Sequence, residues 1–133
     1  MDTIRFDLVT PEATFYSGAA GMVDIPGTLG DFGVLPGHMD FISTLRPGVI
    51  KIHNDKEETL QIFVASGIAE VNAVSCTILA ERAVDLQKIT LPEAEARLAR
   101  AKGALDGAFT ESAKADALKE LELSEALVAA LAA

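Results

Sequence analysis

The feature that most constrains this chain is a change in hydrophobic period near residue 86. Before that point, apolar residues form short runs or alternate with polar ones, as Ile4, Phe6 and Leu8 do. Such alternation is typical of β-strands with one buried face. After that point, apolar residues return at spacings of three and four, which is typical of amphipathic helices. The sequence therefore predicts two parts with different secondary structure.

Residues 1–86 form the predicted strand-rich domain, in which glycine and proline residues separate the apolar runs. A sheet with one apolar face must cover that face with a second layer. Closely spaced short strands therefore predict an antiparallel β-sandwich or barrel. The polar segment 54–58 separates two such runs and is a predicted hairpin tip. The predicted strands are 4–8, 49–52, 60–64, 68–71 and 74–79.

Residues 87–133 form the predicted helical part. Thr90 and Glu93 have the spacing of a capping box, so the first helix is expected to begin there. Gly103 and Gly107 are its predicted end.

A second helix is expected to begin near Thr110 or Ser112. The short connection between the two helices predicts an antiparallel α-helical hairpin. Isolated helices of this length are marginal in water, so the hairpin is expected to need a surface to pack on.

Composition excludes several classes of protein. The formal net charge of −9 disfavours binding to nucleic acid and to anionic lipid head groups. No apolar run approaches the roughly 20 residues that span a bilayer. Cys76 is the one cysteine in the sequence, which excludes an intramolecular disulfide and fits a cytosolic protein. Its apolar setting predicts a buried, unreactive thiol.

The sequence offers no candidate catalytic or metal centre. Its two histidines, His38 and His53, show no ligand spacing with Cys76, so no metal or other cofactor is expected. The glycine-bearing turns within 27–33 lack the Lys-Ser/Thr ending of a phosphate-binding loop. No Gly-x-Ser-x-Gly elbow is present, and the carboxylates at 57 and 58 fit a solvated surface. Composition alone leaves a Ser-His-Asp nucleophile open, but these patterns give no positive signal for an enzyme.

Five short motifs occur in a fixed order in the first two thirds of the chain. They are Leu8-Val9-Thr10-Pro11-Glu12, Gly30-Asp31-Phe32-Gly33-Val34-Leu35-Pro36-Gly37-His38, Leu45-Arg46-Pro47-Gly48, Ser66-Gly67-Ile68-Ala69-Glu70-Val71 and Leu79-Ala80-Glu81. Their order and spacing, through about residue 85, resemble the epsilon subunit of bacterial F-type ATP synthases. The rest of the chain resembles that family only in kind, as a helical hairpin of the expected length.

The resemblance implies a fold and a function. The family folds as an N-terminal β-sandwich of about ten strands followed by a C-terminal helical hairpin. It is a non-catalytic part of the central stalk, where the sandwich binds the gamma subunit and the ring of c subunits. There it couples rotation of the c ring to ATP synthesis in the catalytic head. The expected location is peripheral, on the cytoplasmic face of the inner membrane, with membrane association only through the complex.

The resemblance also implies partner-binding residues. The turn formed by Gly30, Asp31, Phe32 and Gly33 is expected to face the c ring, and His38 is expected to lie near gamma. A purely structural role for the glycines is an equal alternative. If Asp31 meets basic groups on the ring, reversing its charge should weaken attachment of the catalytic head in a salt-dependent way.

The helical part departs from the family in two ways. Thr90 and Glu93 replace the Asp and the Arg of the ATP-binding motif of some bacterial members, so weak or absent ATP binding is expected. Residues 106–133 carry six carboxylates and two lysines, a net formal charge of −4. This charge should repel the acidic beta-subunit loop that the hairpin of inhibitory members contacts.

Three classes of function remain open at this stage. A rotary coupling subunit is the preferred interpretation. A nucleotide-sensing intrinsic inhibitor of ATP hydrolysis, acting through the hairpin, is the alternative. A stand-alone enzyme or small-ligand sandwich would need a polar cleft, for which the sequence shows no candidate residues.

Overall fold

The protein is described by a computed structural model that covers residues 3–54 and 59–132. The chain divides into two compact units, Met1–Asp85 and Leu86–Ala133. In the described residues, the first unit contains strands and the second contains helices. The predicted hairpin tip at 54–58 lies, apart from Asn54, outside the described residues, as do the carboxylates at 57 and 58.

Eight strands are found in the described part of the first unit. They are β1 (Ile4–Val9), β2 (Thr14–Ala20), β3 (Met22–Gly27), β4 (Gly30–Val34), β5 (Phe41–Leu45), β6 (Gly48–His53), β7 (Thr59–Val71) and β8 (Ser75–Asp85).

These strands form one hydrogen-bonded sheet that curls back on itself. The order is β2-β1-β8-β7-β5-β3-β4, and β6 pairs with both β3 and β7. Because β3 also pairs with β5, and β5 with β7, the strands enclose a core. The pairing of β1 with β8 is parallel, and the other pairings of the described strands are antiparallel. The predicted class, a β-sandwich followed by helices, is confirmed.

Alternating residues of β1 show how the sequence produces this core. Ile4, Phe6 and Leu8 have no exposed surface, whereas Arg5 and Asp7 lie on the outer face. Successive side chains of a strand point to opposite faces, so the apolar set is buried together. Burial of each such side chain contributes about 1.5–3 kcal/mol. The rest of the core cluster is built from Val, Ile, Leu, Ala and Cys76, with Phe6 as its fully buried aromatic member.

Strand β7 differs from the sequence-based expectation. The runs 60–64 and 68–71 were expected as separate strands, with Gly67 between them, but they are one continuous strand. Its first half pairs with β6 and its second half with β5, so one strand serves two partners. Eight strands are described where the resemblance implied about ten, and the joining of these two runs accounts for one strand of that difference.

The second unit consists of α1 (Leu91–Asp106) and α2 (Glu111–Ala132). Thr90 caps α1, because its Oγ1 accepts a hydrogen bond of 3.3 Å from the backbone N–H of Glu93. The helix continues through Gly103 and ends before Gly107. The prediction that Gly103 marks the end of the helix was therefore wrong. An interior glycine costs about 1 kcal/mol of helix stability but does not break the hydrogen-bond ladder.

The second helix begins where the sequence indicated. The backbone N–H of Ala113 donates to Thr110 Oγ1 at 3.0 Å, which places Thr110 as its cap. Among the described residues, neither helix has the combination of length and apolar character needed to cross a membrane.

Candidate functional site

The predicted partner-binding residues lie on the hairpin of β3 and β4 and on the loop that follows it. Gly27 pairs with Gly30, so Thr28 and Leu29 form a two-residue tip, which we call the β3–β4 tip. Gly30 has φ +141°, a conformation that L side chains rarely adopt. The glycine therefore permits this tight turn, and the Asp31 side chain next to it is 70% exposed.

Arg46 fastens this tip to the corner between β5 and β6. Its Nη1 donates to the carbonyl oxygen of Gly27 at 2.7 Å, and its Nη2 forms an ion pair with Asp31. The backbone N–H of Arg46 also donates to Pro26 O at 3.1 Å. One residue thus holds both strands of the hairpin.

Two threonines add a second connection between the tip and β5. The backbone N–H of Thr28 donates to the carbonyl oxygen of Thr44 at 3.0 Å. The two hydroxyl groups share a hydrogen bond of 2.7 Å. Together with the contacts of Arg46, these bonds keep the tip in one position on the sheet.

Phe41 brings two of the predicted site residues to one place. The ring of Phe32 meets it edge to face, with centroids 5.1 Å apart and planes at 82°. The ring of His38 lies 6.3 Å from Phe41 on a tilted plane. Phe32 is half-buried against the core, so it supplies more internal packing than contact surface.

The loop that carries His38 is held by hydrogen bonds. His38 Nδ1 donates to the carbonyl oxygen of Met39 at 2.7 Å. The backbone N–H of Gly37 donates to the carbonyl oxygen of Ala73 at 2.8 Å, which joins this loop to the turn between β7 and β8. The imidazole is therefore oriented by its own loop, and Gly30, Asp31 and Gly33 lie apart from it on β4.

Sequence reasoning missed the most exposed apolar residue of this region. Leu29, at the tip, is fully exposed, and Met39, beside His38, is 82% exposed. A large apolar side chain on a two-residue tip has no role in the core, which makes Leu29 the candidate contact residue of this region. The signal available in the sequence was a leucine in the short turn between Gly27 and Gly30, where polar residues usually occur.

The carboxylates near the tip are already paired with neighbouring side chains. A groove of about 320 Å³ runs beside β3. Its two carboxylates are already engaged, since Asp24 accepts from His53 Nε2 at 2.8 Å and Asp31 accepts from Arg46. Within residues 3–54 and 59–132, no group of acidic, histidine or cysteine side chains could hold a metal ion. The groove is lined by Asp24, Ile25, Asp31, Phe32, Gly33, Val49 and Lys51.

A second polar cluster lies on the outer face of β1 and β2. Ser17 Oγ donates to Asp7 Oδ1 at 2.6 Å, and Arg5 contacts both residues. The hydrogen bond from Ser17, and next the one from Arg5, lower the pKa of Asp7. A carboxylate held in its charged form by a serine and an arginine stabilises the strand pair, and it is a weaker base than a free aspartate.

Comparison with known proteins gives the context of this region. Residues 3–86 match the family model described as "ATP synthase, Delta/Epsilon chain, beta-sandwich domain". The chain is 43% identical over 129 residues to the ATP synthase epsilon chain of Rhodospirillum rubrum, covering 97% of this chain and 96% of that one. It is 44% identical over 131 residues to the epsilon chain of Paramagnetospirillum magneticum, covering 98% of each.

A solved structure also has a similar fold. The chain superimposes on a subunit of the Euglena gracilis mitochondrial ATP synthase with a TM-score of 0.80 and 24% identity. The alignment covers 97% of this chain and 81% of that subunit. That structure is described as containing OSCP, F1 and the c-ring.

Proposed function

Because this chain belongs to the ATP synthase epsilon-chain family, we propose that it is a non-catalytic central-stalk subunit that couples c-ring rotation to ATP synthesis. The observation that carries the proposal is 43% identity extending over 97% of the chain, which includes the helical unit as well as the sandwich. The paired state of the carboxylates near the tip supports a role without chemistry.

The proposed partners are the gamma subunit and the c ring. The β3–β4 tip would meet the ring, and the loop of His38 would meet gamma. Exposed apolar surface at Leu29 and Met39 supports this placement, because apolar side chains enter the buried centre of protein interfaces. Association with the membrane would come through these partners, on its cytoplasmic face.

The mechanism rests on shape and stiffness. Force applied at an exposed tip reaches the rest of a subunit only if the tip cannot bend independently. The bonds that Arg46 and Thr44 make to the hairpin and its tip, and the continuous strand β7, provide such a connection within the sandwich. No covalent step is required of this chain.

Adding the full chain back to an ATP synthase depleted of its epsilon subunit tests the proposal. We expect a stoichiometric complex with the rotor and recovery of ATP-driven proton pumping. Pumping that stays uncoupled from hydrolysis, with no association of the added chain, would refute the proposed function.

Replacing Leu29 with aspartate should weaken this association by about tenfold to a hundredfold. Burying a leucine side chain contributes about 1.5–3 kcal/mol, and a carboxylate at the same site would have to be desolvated. The measurement is titration of the depleted complex with the L29D chain.

Phe109→Asp is the matched control for this prediction. Phe109 is 94% exposed, and it lies in the connection between α1 and α2, in the other compact unit. It should leave attachment to the ring nearly unchanged. Equal losses for the two variants would show that the tip has no special role.

The alternative role, intrinsic inhibition through the hairpin, is tested by truncation. Thr90 and Glu93 form the cap of α1, so the positions that match the ATP-binding motif serve the start of the helix. The six carboxylates of residues 106–133 are all exposed and would repel an acidic loop. ATPase activity should therefore change little when residues 88–133 are deleted.

The truncated chain must first be shown by circular dichroism to keep its β structure. A several-fold rise in ATPase activity would contradict the prediction and favour the inhibitory role. Micromolar binding of ATP to the full chain would favour the nucleotide-sensing version of that role.

A further inference from the structure

The β3–β4 tip projects from the sheet, yet a long side chain from another part of the chain reaches it. Arg46 lies 19 residues after Gly27 and 15 residues after Asp31, and its guanidinium contacts both. The side chains of Arg46 and Asp31 remain 44% and 70% exposed. An exposed ion pair contributes little to global stability. The position of this ion pair beside the tip indicates that it fixes the local conformation of the tip.

We propose that Arg46 is a positioning residue, which holds the β3–β4 tip so that Leu29 can contact the rotor while Asp31 acts within this chain. The inference rests on the proposed function and assigns separate roles to two neighbouring residues. Leu29 makes the contact with the partner. Asp31 serves as the internal anchor of Arg46, and its charge is largely neutralised before any partner binds.

The chemistry of the contact explains why arginine is suited to this position. One nitrogen of the guanidinium donates to the backbone carbonyl of Gly27, and a second nitrogen of the same plane pairs with the Asp31 carboxylate. A planar fork can satisfy two acceptors at a fixed separation, whereas a lysine ammonium is a single rotating point charge. The two acceptors lie on the two strands of the hairpin, so the fork sets the position of both.

The backbone reinforces this arrangement. Arg46 N–H donates to Pro26 O at 3.1 Å, and Thr28 N–H donates to Thr44 O at 3.0 Å. A Cβ added at Gly48 would lie 2.8 Å from Pro26 Cβ, so the corner after Arg46 packs closely against β3. The side chain of Arg46 therefore starts from a fixed backbone position, as a positioning residue requires.

A direct role for Asp31 is the competing explanation, in which its carboxylate pairs with a cation on the ring. Both explanations expect Asp31→Arg to weaken attachment, so that variant alone does not separate them. A charge exchange does separate them. In the double variant D31R/R46D the internal ion pair is restored with reversed polarity, whereas the charge presented to a partner at position 31 is wrong.

The experiment titrates epsilon-depleted ATP synthase with the full chain carrying D31R, R46D or both. Each single change should raise the dissociation constant about fivefold to tenfold, because it places like charges together and releases the tip. The double variant should bind about twofold to threefold more tightly than D31R, because the ion pair is restored while the hydrogen bond to the Gly27 carbonyl is not. If the double variant binds as weakly as D31R, or more weakly, Asp31 acts on the partner and the proposal is overturned.

A second measurement separates positioning from folding and does not need the partner. Arg46→Met should speed amide hydrogen exchange at residues 28–30 by about fivefold, while the melting temperature shifts by no more than about 2 °C. Arg46→Lys should recover less than half of the rotor binding that Arg46→Met loses. Unchanged exchange in R46M would overturn the proposal. If the natural chain does not bind the rotor, the proposed function is rejected. The hydrogen-exchange measurement still tests the positioning role of Arg46, because it needs no partner.

Discussion

Replacing Gly67 with alanine is expected to lower the free energy of unfolding of the sandwich by about 3–5 kcal/mol. The residue has φ +148°, where an L side chain is strained by about 1–3 kcal/mol. An added Cβ would also lie 2.2 Å from the carbonyl oxygen of Leu79 and 2.9 Å from Ala80 Cα. Both atoms belong to the backbone of β8, which is paired on both sides and cannot move aside easily.

Two other glycines separate the causes of this effect. Gly37 has φ +87° with no heavy atom within 4 Å of an added Cβ, so Gly37→Ala should cost only the strain of about 1–2 kcal/mol. Gly103 lies inside α1 with nothing within 4 Å, so Gly103→Ala should stabilise its helix by about 0.5–1 kcal/mol. Urea unfolding followed by circular dichroism measures all three. A cost at Gly67 no larger than that at Gly37 would contradict the close approach of β8.

The predictable parts of the fold are those governed by local sequence. The change of period near residue 86 corresponds to the boundary between Asp85 and Leu86, and the capping box at Thr90 starts α1. Periodicity and caps depend on residues within one or two turns of each other, so one sequence contains the information. The buried setting of Cys76 was predictable for the same reason and is confirmed.

The less predictable parts depend on pairing between distant segments. Gly67 has the same local signal as a glycine in a turn, yet it lies inside β7 because β8 approaches its backbone there. The parallel pairing of β1 with β8 joins residues about 70 positions apart, such as Phe6 and Cys76. The hydrophobic pattern of a strand determines which of its faces is buried, but it does not specify which remote strand will pair with it.

The residues of the candidate site also divide into those that local sequence predicts and those that depend on distant segments. The glycines and Asp31 could be recognised as a group, since they adjoin one another in the sequence. Arg46 and Phe41 become part of the site only because the β5–β6 corner folds onto β3 and β4. Leu29 could be seen in the sequence, but its complete exposure could not.

Cys76 is expected to react with thiol reagents at least a thousandfold more slowly in the folded protein than an exposed cysteine does. Its side chain has no exposed surface, and β8 lies between β1 and β7 at this point. Burial raises the pKa of the thiol from 9.0 to about 12. The thiolate is the reactive form, so at pH 8 its fraction falls by about three orders of magnitude, in addition to the steric block.

The sign of the pH dependence follows from the same shift. The folded thiol keeps its proton at a pH where the unfolded thiol has lost it, so between about pH 9 and pH 12 the unfolded chain binds fewer protons. The contribution of Cys76 to stability is therefore fully present below pH 9 and is lost as the pH rises towards 12. Cys76→Ala should remove this component of the alkaline loss of stability.

Labelling with a chromogenic disulfide reagent at pH 8 measures the effect directly. The control carries V74C/C76A, which places the thiol two residues away at an exposed turn position and should react at the rate of an open thiol. The natural chain should react fully once urea unfolds it. A rate for native Cys76 within about tenfold of the control would contradict the burial. Gly67→Ala should speed the reaction, because an added Cβ at Gly67 presses on the strand that carries Cys76.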